Sequence, residues 1–405
     1  MNVELVLIAF GLLLAAETVR SHGSLTRALG FARRVTRLER YPSVSVIRPI
    51  KGLDAGAERN IAAALDHGYP GRVETLFVFD DDDEPALELV ERAIAERRAR
   101  GRPVDARVVF SGAPPAGRTG KLNAMIVALR QAHHELVAFV DSDTRPDRDA
   151  LRVLVETLHS APDAGSAFAP VRVTEPPRTL GDAGYALLLN GLYGPLAAEV
   201  AGRRQGRLGF IMGQFMVFKR EAIDAIGGLE SAEGQLVDDM HLGESVTRAG
   251  YANLVSPHPV PIIQHDLGFK DFFGVFVRWI TFSRTGLPGL GFKIHSWLRG
   301  SVFFAGLALA VAGAALASWP LAALGLLAAA GMAASVGLLH QQIGGGALRP
   351  LHWLVPALIM LLAPVVMLRI LFKRQVSWRG RTYALGADSR LGAAPAEPAC
   401  ADCPA

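Results

Sequence analysis

Long apolar stretches constrain the fold of this chain more than any other feature of its sequence. Four of them occur, at Val3–Val19, Ser301–Ser318, Pro320–Leu339 and Leu351–Phe372. Each approaches the roughly 20 residues that a helix needs to cross the hydrocarbon core of a bilayer. Hydrophobic residues make up 50% of the 405 residues, which is too apolar for an ordinary soluble protein. We therefore expect a multi-pass membrane protein, with an anchor at residues 1–20 and a C-terminal transmembrane region at residues 301–372.

The sequence around these stretches predicts their orientation. The first stretch has no basic segment before it and no evident cleavage site after it, so it is expected to remain as an anchor. Basic residues follow the first and the last stretch: Arg20, Arg27, Arg33, Arg34, Arg37 and Arg40, then Lys373, Arg374, Arg379 and Arg381. By the positive-inside rule, residues 20–300 are expected on the cytoplasmic side of a membrane.

The same rule leaves the number of complete spans open. Three full C-terminal spans would put the tail outside, yet the tail begins "FKRQVSWRGR", which is typical of the cytoplasmic side. Leu351–Phe372 is the stretch expected to cross only in part, because Pro356 and Pro364 interrupt its helix.

The C-terminal end itself predicts no chemistry. Its two cysteines, Cys400 and Cys403, exclude a disulfide framework, and a CxxC pair needs a surrounding fold to bind metal or to act in redox reactions. Residues 373–405 are therefore predicted to be a tail that is first basic and then disordered. The net charge of +4 gives no general argument for binding nucleic acid.

Short apolar strands alternate with helices in residues 40–267. The predicted strands are Ser43–Pro49, Glu74–Phe79, Ala106–Phe110 and Leu136–Val140. The predicted helices are Arg59–Leu65, Pro85–Arg98, Leu122–Ala132 and Asp149–His159. This alternation predicts an α/β domain whose parallel sheet is covered by helices on both faces. In such sheets the ligand binds at the carboxyl ends of the strands.

Acidic residues directly follow two of these strands. The run Asp80–Glu84 ends one strand, and "VDSDTRP" places Asp141 and Asp143 after another. Two carboxylates at this spacing can hold one hard cation, so the sequence predicts a Mg²⁺ or Mn²⁺ site that also binds a diphosphate. The alternative is a polar loop or helix cap.

A third acidic pair, Asp238 and Asp239, lies in "QLVDDMHLGE". If this pair reaches the same crevice, the acidic residues would form a nucleotide–metal site with a separate base. Taken alone, the pair is equally typical of the first turn of a helix, where the helix dipole favours negative charge.

Residues 268–292 are predicted to form an amphipathic segment. Its apolar face has helical spacing and consists of Phe269, Phe272, Phe273, Phe276 and Ile280. Arg278 lies on the polar side, and Trp279 lies beside the apolar face. Such a helix suits the membrane interface, where it would hold the mouth of the crevice against lipid. The alternative is an ordinary helix packed on the core.

Together these motifs resemble family 2 glycosyltransferases of GT-A fold, and most closely the ceramide glucosyltransferase group. "FVFDDDDEP", "VDSDT" and "VDDMHLGE" look like three aspartate motifs of that family, and "VFVRW" looks like its (Q/R)xxRW motif. "SVIRPIKG" and "GKLNAM" are similar to its nucleotide-binding segments, and "VSWRGRTYALGADSRL" to its C-terminal extension. The resemblance covers roughly residues 40–285 and the tail, and the order and spacing of the motifs carry it.

The resemblance implies a role for each motif residue. The implied roles are nucleotide binding for Asp81, Lys121, Pro49 and Asp141, metal binding for Asp143 with Asp141, base catalysis for Asp239, and closure on the diphosphate and sugar for Arg278 and Trp279. An arginine suits a departing diphosphate because its guanidinium is planar and permanently charged.

The implied reaction is the inverting transfer of a sugar, with glucose expected, from a UDP-sugar to the primary hydroxyl of a ceramide-like membrane lipid. One alternative is a hopanoid glycosyltransferase that uses UDP-N-acetylglucosamine. Another is transfer to a polyprenyl phosphate, which needs no strong base. A third is a membrane scaffold that has kept the fold and lost catalysis.

The sequence departs from the family pattern at Val275, where the last motif has Gln or Arg. In processive polysaccharide synthases that polar residue helps to bind the end of the growing polymer. Its replacement by valine, together with the small number of spans, argues against extrusion of a polymer chain.

Overall fold

A mixed β-sheet forms the centre of the computed structural model, which describes residues 3–30, 34–102, 104–286, 290–386 and 390–391. The strands are β1 (Val44–Pro49), β2 (Val73–Phe79), β3 (Asp105–Phe110), β4 (Leu136–Val140), β5 (Ala164–Phe168), β6 (Val171–Arg172), β7 (Arg207–Leu208), β8 (Phe215–Lys219), β9 (Ala252–Val255), β10 (Val260–Pro261), β11 (Gln375–Trp378) and β12 (Arg381–Ala384). The eight-stranded sheet has the order β3-β2-β1-β4-β8-β5-β9-β7, while β6 pairs with β10 and β11 pairs with β12.

Helices flank the eight-stranded sheet, precede its first strand and follow its last one. They are α1 (Val3–Leu29), α2 (Ala57–Leu65), α3 (Leu87–Ala99), α4 (Gly120–Leu129), α5 (Ala150–His159), α6 (Leu180–Leu187), α7 (Gly194–Arg203), α8 (Arg220–Ala225), α9 (Asp238–Arg248), α10 (Phe269–Gly286), α11 (Leu290–Ala315), α12 (Trp319–Gln342) and α13 (Val355–Leu371). A π-helix, Leu188–Tyr193, joins α6 to α7, and short 3₁₀ helices occur at Leu229–Ala232 and Pro350–Leu354.

The four strands predicted from the sequence form the parallel half of the sheet. β3, β2, β1 and β4 are all parallel to their neighbours. Alternate residues of β1 pack into different cores, with Val46 in the core beneath α5 and α6 and Ile47 in the core beneath α4. Helices therefore cover both faces, which explains why these strands are continuous apolar runs. The predicted α/β fold is confirmed.

The other half of the sheet contains two antiparallel strands, β8 and β7, whose direction the sequence did not predict. β8 lies between β4 and β5 and is antiparallel to both. Because β8 runs against β4, the residue before it lies beside the residue after β4, and the backbone N–H of Asp141 donates to the carbonyl of Gln214 at 2.9 Å. A segment distant in sequence thus reaches the edge where the parallel strands end.

Two helical segments of the described chain, Trp319–Gln342 and Pro350–Leu371, are long and apolar enough to cross a membrane. The second corresponds to the stretch that was expected to cross only in part, and its helix α13 continues through Pro364. The predicted anchor lies within α1, a helix that extends beyond residue 20 to Leu29. Close packing joins α11 to α12, where a Cβ on Gly306 would lie 2.8 Å from the carbonyl oxygen of Gly325.

The apolar face of α10 packs on the protein core. Phe272 is fully buried, Phe276 is 2% exposed, and their rings stack at 6.0 Å. Both belong to the same core as β4 and α5. The expected contact of these two phenylalanines with lipid is therefore wrong, because α6 and α13 cover this face of the helix. Of this predicted segment, residues 287–289 lie outside the described chain.

The basic part of the predicted tail is folded. β11 and β12 form an antiparallel hairpin, and Gly386 and Leu391 make further backbone hydrogen bonds beyond it, to Arg390 and Gly234. Cys400 and Cys403 lie outside the described residues.

Candidate active site

A cavity of about 930 Å³ lies at the carboxyl ends of the parallel strands. Its polar part is formed by residues that follow β1, β2 and β4, by the first turns of α4 and α9, and by the β11–β12 hairpin. Its apolar part continues between the π-helix, α10, α12 and α13. One space therefore connects a charged strand-end crevice to a wall of hydrophobic helices.

Asp141 and Asp143 both line this cavity, as predicted from the strand that precedes them. The buried side chain of Arg48 holds their loop by donating to the carbonyls of Thr144 at 2.6 Å and Ser142 at 3.1 Å. Burial, together with the carboxylates of Asp141 and Asp54, raises the pKa of Asp143 to about 7. Burial and neighbouring carboxylates therefore both disfavour the ionised form of Asp143 when no cation is bound.

This donor set fits a hard divalent cation. Oδ1 of Asp143 is buried and receives no hydrogen bond. A buried carboxylate oxygen without a donor is costly unless a cation satisfies it. Within the described ranges, no three His, Cys, Asp or Glu side chains are arranged to enclose an ion by themselves. Asp141 and Asp143 would therefore hold the ion together with water or substrate oxygens, which is the usual mode for Mg²⁺.

Lys121 connects the metal-binding carboxylates to the third acidic pair. It lies in the first turn of α4, which Thr119 caps by accepting a hydrogen bond from the Leu122 N–H. Its ammonium group lies 2.5 Å from Asp141 and donates to the Gly213 carbonyl at 3.1 Å. Burial opposes its charge, but Asp141, Asp238 and Asp239 outweigh that effect and raise the pKa of Lys121. A permanently charged ammonium group is thus fixed at the polar end of the cavity.

Asp239 and Asp238 begin α9 and both line the cavity. Asp239 accepts hydrogen bonds from the backbone N–H groups of Gly213 at 2.7 Å and Met240 at 2.8 Å. Burial and the neighbouring Asp238 raise the pKa of Asp239 to about 6. Close contact requires glycine at position 213, where a Cβ would lie 2.7 Å from Oδ2 of Asp239. The structure therefore positions a carboxylate whose pKa is close to neutrality.

The acidic run after β2 contributes Asp80 to the cavity wall. Asp80 is 7% exposed and pairs with Lys51 at 3.0 Å and Arg381 at 2.8 Å, whereas Asp81 is exposed and is not part of the lining. Glu84 is also buried and pairs with Lys51. The family resemblance implied the nucleotide-binding role for Asp81, which follows Asp80 directly but lies outside this lining. Pro49, the last residue of β1, does line the cavity.

The last motif presents three residues to the cavity. Arg278, Trp279 and Val275 all contribute to its lining. The ring of Trp279 lies between Tyr185 and Tyr193, with centroid distances of 5.2 and 5.6 Å. Burial lowers the pKa of Arg278 from its usual value. The tryptophan is therefore held rigidly by aromatic neighbours, and the position that is polar in the family motif adds apolar surface.

Sequence reasoning missed several residues of the site. Asp54 after β1, Tyr185 in α6, and Arg379 and Arg381 in the hairpin all line the cavity. The two arginines were noted only as signals of membrane orientation. Their position in a segment similar to the family's C-terminal extension was the available indication that they belong to the site.

Comparisons with known proteins indicate the family of this chain. The chain matches glycosyl transferase family 21 over residues 5–391. Ceramide glucosyltransferase 3 of Caenorhabditis elegans is 26% identical over 257 residues, which are 61% of this chain and 52% of the relative. An N-acetylglucosaminyltransferase of Rhizobium meliloti is 26% identical over 251 residues, which are 59% of this chain and 55% of the relative. These matches thus span about half the length of the curated relatives.

A solved structure supports the fold. The mannosyltransferase of Pyrobaculum calidifontis, determined with GDP-Man and Mn²⁺, superposes with a TM-score of 0.57 over 90% of this chain and 99% of that one, at 20% identity. At this identity the likeness concerns the fold, which is of the GT-A type. Because the family description extends over nearly the whole sequence, the chain belongs to glycosyl transferase family 21.

Proposed function

We propose that this protein transfers a sugar, with glucose as the expected sugar, from a UDP-sugar to the primary hydroxyl of a ceramide-like membrane lipid, with inversion. The observation that carries the proposal is the continuity of the cavity. Its polar end contains the carboxylates and cations that suit a nucleotide diphosphate, and its other end is lined by apolar helices. A sugar donor and a lipid hydroxyl could therefore meet within one cavity.

Asp239 is the proposed base. Two backbone N–H groups fix its carboxylate, and a pKa near 6 keeps it ionised at neutral pH while it remains basic enough to accept a proton. As the lipid hydroxyl attacks the anomeric carbon, Asp239 takes its proton. The attack is opposite to the departing diphosphate, so the configuration at that carbon inverts.

Cationic residues stabilise the charge that develops on the leaving UDP. Lys121 and Arg278 lie on the lining of the cavity, where a fixed positive charge acts without the reorganisation that water would require. A Mg²⁺ or Mn²⁺ ion held by Asp141 and Asp143 would add Lewis-acid stabilisation of the same oxygens. Trp279, held between two tyrosines, offers a rigid ring against which the sugar can pack.

The apolar part of the cavity supports a lipid acceptor. Val275, Leu192, Val336, Met360 and Met367 line it, and the last three belong to the long apolar helices α12 and α13. A growing polysaccharide would need polar groups along this wall, whereas acyl chains need none. We infer that the crevice opens toward the bilayer from the cytoplasmic side and that more than one helix spans the membrane.

The direct test supplies purified protein in detergent with labelled UDP-glucose, ceramide and Mg²⁺ or Mn²⁺. We expect a labelled glycolipid with inverted configuration at the anomeric carbon. Release of free glucose alone, or no turnover with any UDP-sugar and lipid hydroxyl, would contradict the proposal. UDP-N-acetylglucosamine is the second donor to test, because one relative is named as an N-acetylglucosaminyltransferase.

A polyprenyl phosphate acceptor predicts a different outcome in the same assay. Its phosphate oxygen is already ionised, so a variant that lacks the Asp239 carboxylate would keep most of its activity. Loss of activity in that variant supports a hydroxyl acceptor.

A further inference from the structure

The hairpin β11–β12 reaches from the end of the apolar helices to the polar end of the cavity. Its tip, Arg379 and Gly380, has positive φ angles of 50° and 76°. Two such residues in succession are typical of the tight turn that joins antiparallel strands, where Asn-Gly is the favoured pair. An arginine is uncommon in this left-handed conformation. Its presence at the tip therefore calls for a reason other than turn formation.

The side chains of the hairpin contact the residues that surround the proposed donor. Arg379 pairs with Asp54, donates to the Lys51 carbonyl at 3.3 Å, and lies 3.8 Å from Oδ2 of Asp143. Arg381 pairs with Asp80 at 2.8 Å. The two arginines thus touch carboxylates at the ends of three different strands of the sheet.

Tyr383 fixes the hairpin against α4. Its hydroxyl accepts a hydrogen bond from the Gly120 N–H at 3.3 Å, at the first residue of the helix that carries Lys121. The contact is close, since a Cβ on Gly120 would lie 2.3 Å from Nη1 of Arg381. The hairpin therefore covers the helix N-terminus, where an anion would be favoured.

The two arginines of the hairpin can balance negative charge at this end of the cavity. A nucleotide sugar brings a diphosphate into a space already lined by Asp54, Asp80, Asp141 and Asp143. Anionic substrate can enter only if cations compensate for it, and the hairpin supplies two of the cations on the cavity wall. The 3.8 Å contact between Nη2 of Arg379 and Asp143 is too long for a hydrogen bond, so this nitrogen can donate to a phosphate oxygen while Nη1 keeps its pairing with Asp54.

We propose that the C-terminal hairpin is a donor-binding element, in which Arg379 binds the diphosphate and Arg381 orients Asp80 toward the nucleoside. This inference rests on the proposed function, because it assumes a nucleotide-sugar donor. It assigns a substrate-binding role to a segment that follows the apolar helices. The sheet domain, residues 40–267, would then form only part of the donor site.

The test measures UDP binding by calorimetry with the full-length protein in detergent and Mg²⁺ or Mn²⁺ present. Arg379→Asn creates the preferred Asn-Gly turn, so the hairpin is retained while the guanidinium is lost. We expect UDP to bind about ten- to a hundredfold more weakly, as expected for lost charged hydrogen bonds. Arg379→Lys keeps the charge and should recover part of that loss. The matched control is Arg374→Gln, which removes an exposed arginine beside the hairpin but outside the cavity and should leave UDP affinity within about twofold of wild type.

The outcomes separate this inference from the proposed function. If wild-type protein binds UDP and Arg379→Asn binds it equally well or more tightly, the hairpin does not bind the donor and this inference alone is overturned. If wild-type protein binds neither UDP nor UDP-glucose, the donor assignment fails and the role of the hairpin fails with it. Equal losses in Arg379→Asn and Arg374→Gln would show a general charge effect and would also overturn the inference.

Discussion

Asp239 is held in place before any substrate arrives. The N–H of Gly213 donates to Oδ2 of Asp239, and the N–H of Met240 donates to Oδ1. Lys121 donates to the carbonyl of the same Gly213. The proposed base is thus connected, through the backbone of Gly213, to the lysine beside the proposed metal site. Such fixed geometry is what general-base catalysis requires, because the proton acceptor must already be within hydrogen-bond reach.

Replacing Asp239 by Asn should remove catalysis and leave donor binding. The amide has nearly the same shape but cannot take the proton of the lipid hydroxyl. We expect turnover to fall by about two to four orders of magnitude, the usual contribution of a general base, while the affinity for UDP changes little. Steady-state kinetics with parallel UDP titration measures both. An unchanged rate would show that another residue is the base, with Asp238 as the next candidate.

The rate should depend on the ionisation of Asp239. Burial and Asp238 raise its pKa to about 6, so the active, ionised form predominates above that pH and is lost as the pH falls through it. We expect kcat to fall about tenfold per pH unit below pH 6, following the protonation of one group. The residual activity of Asp239→Asn should lack this inflection. If the inflection persists in that variant, another group is responsible for it.

Asp143→Asn should weaken the dependence on divalent cation. The substitution removes the negative charge of the Asp143 carboxylate, whose buried Oδ1 receives no hydrogen bond in the protein. We expect loss of the metal-dependent part of UDP binding and of turnover, and no further loss on adding a chelator. Ser142→Ala, in the same loop, retains both carboxylates and is the control. Wild-type turnover of Asp143→Asn in the presence of chelator would show that the metal assignment is wrong.

The sequence identified these aspartates because each follows an apolar strand or begins a helix after one. It could not choose among the carboxylates of Asp80–Glu84, since that choice depends on the residue at which β2 leaves the sheet. The roles of Arg379 and Arg381 in the site could not be predicted from the sequence for another reason. Pairing of a C-terminal arginine with Asp80 is a contact between distant parts of the chain that no local pattern encodes.

At the scale of elements, α10 shows how a periodic pattern can be correct and its environment wrong. The apolar spacing predicted the helix, yet amphipathicity alone does not distinguish lipid from protein as the partner of the face. The structure supplies the partners, namely α6 and α13. Gly184 of α6 permits the approach, since a Cβ there would lie 2.7 Å from the ring of Phe272.

Phe272→Ala should therefore act on stability. Its ring is fully buried, and truncation of a buried phenylalanine costs about 3–5 kcal/mol. Chemical denaturation in detergent, followed by a signal from the sheet domain, measures this loss. Phe269→Ala, at a ring that is 42% exposed on the same helix, is the control and should cost far less. Equal, small effects of both variants on stability, with a raised KM for lipid, would restore the interfacial role of this face.

The parallel half of the sheet was predictable in its elements because burial on both faces leaves a strong local signal. Each predicted strand and helix there overlaps an observed one, and Leu136–Val140 agrees at both ends. The insertion of antiparallel β8 was not predictable, since β5 ends at Phe168 and β8 begins only at Phe215, so the pairing joins segments distant in sequence. The π-helix at Leu188–Tyr193 likewise depends on packing against α12, which the local sequence does not record.

At the scale of the whole molecule, the proposed reaction depends on one cavity that has a polar part and an apolar part. The sheet domain supplies carboxylates and cations that function in a polar crevice, and the apolar helices supply the wall against which an acyl chain can lie. Neither part alone would bring a water-soluble donor to a water-insoluble acceptor. The hairpin after α13 closes this arrangement by returning the chain from the apolar helices to the sheet.

Mass spectrometry of lipids extracted from cells that express the protein is the most direct test of sugar transfer to a lipid hydroxyl, with Asp239→Asn as the matched control. We expect a new hexosyl- or N-acetylhexosaminyl-lipid, with the sugar on a lipid hydroxyl, in cells with the wild-type protein and its near absence in cells with the variant. An unchanged lipid profile in cells that contain folded wild-type protein and a lipid with a free primary hydroxyl, or the same new lipid with both proteins, would contradict it.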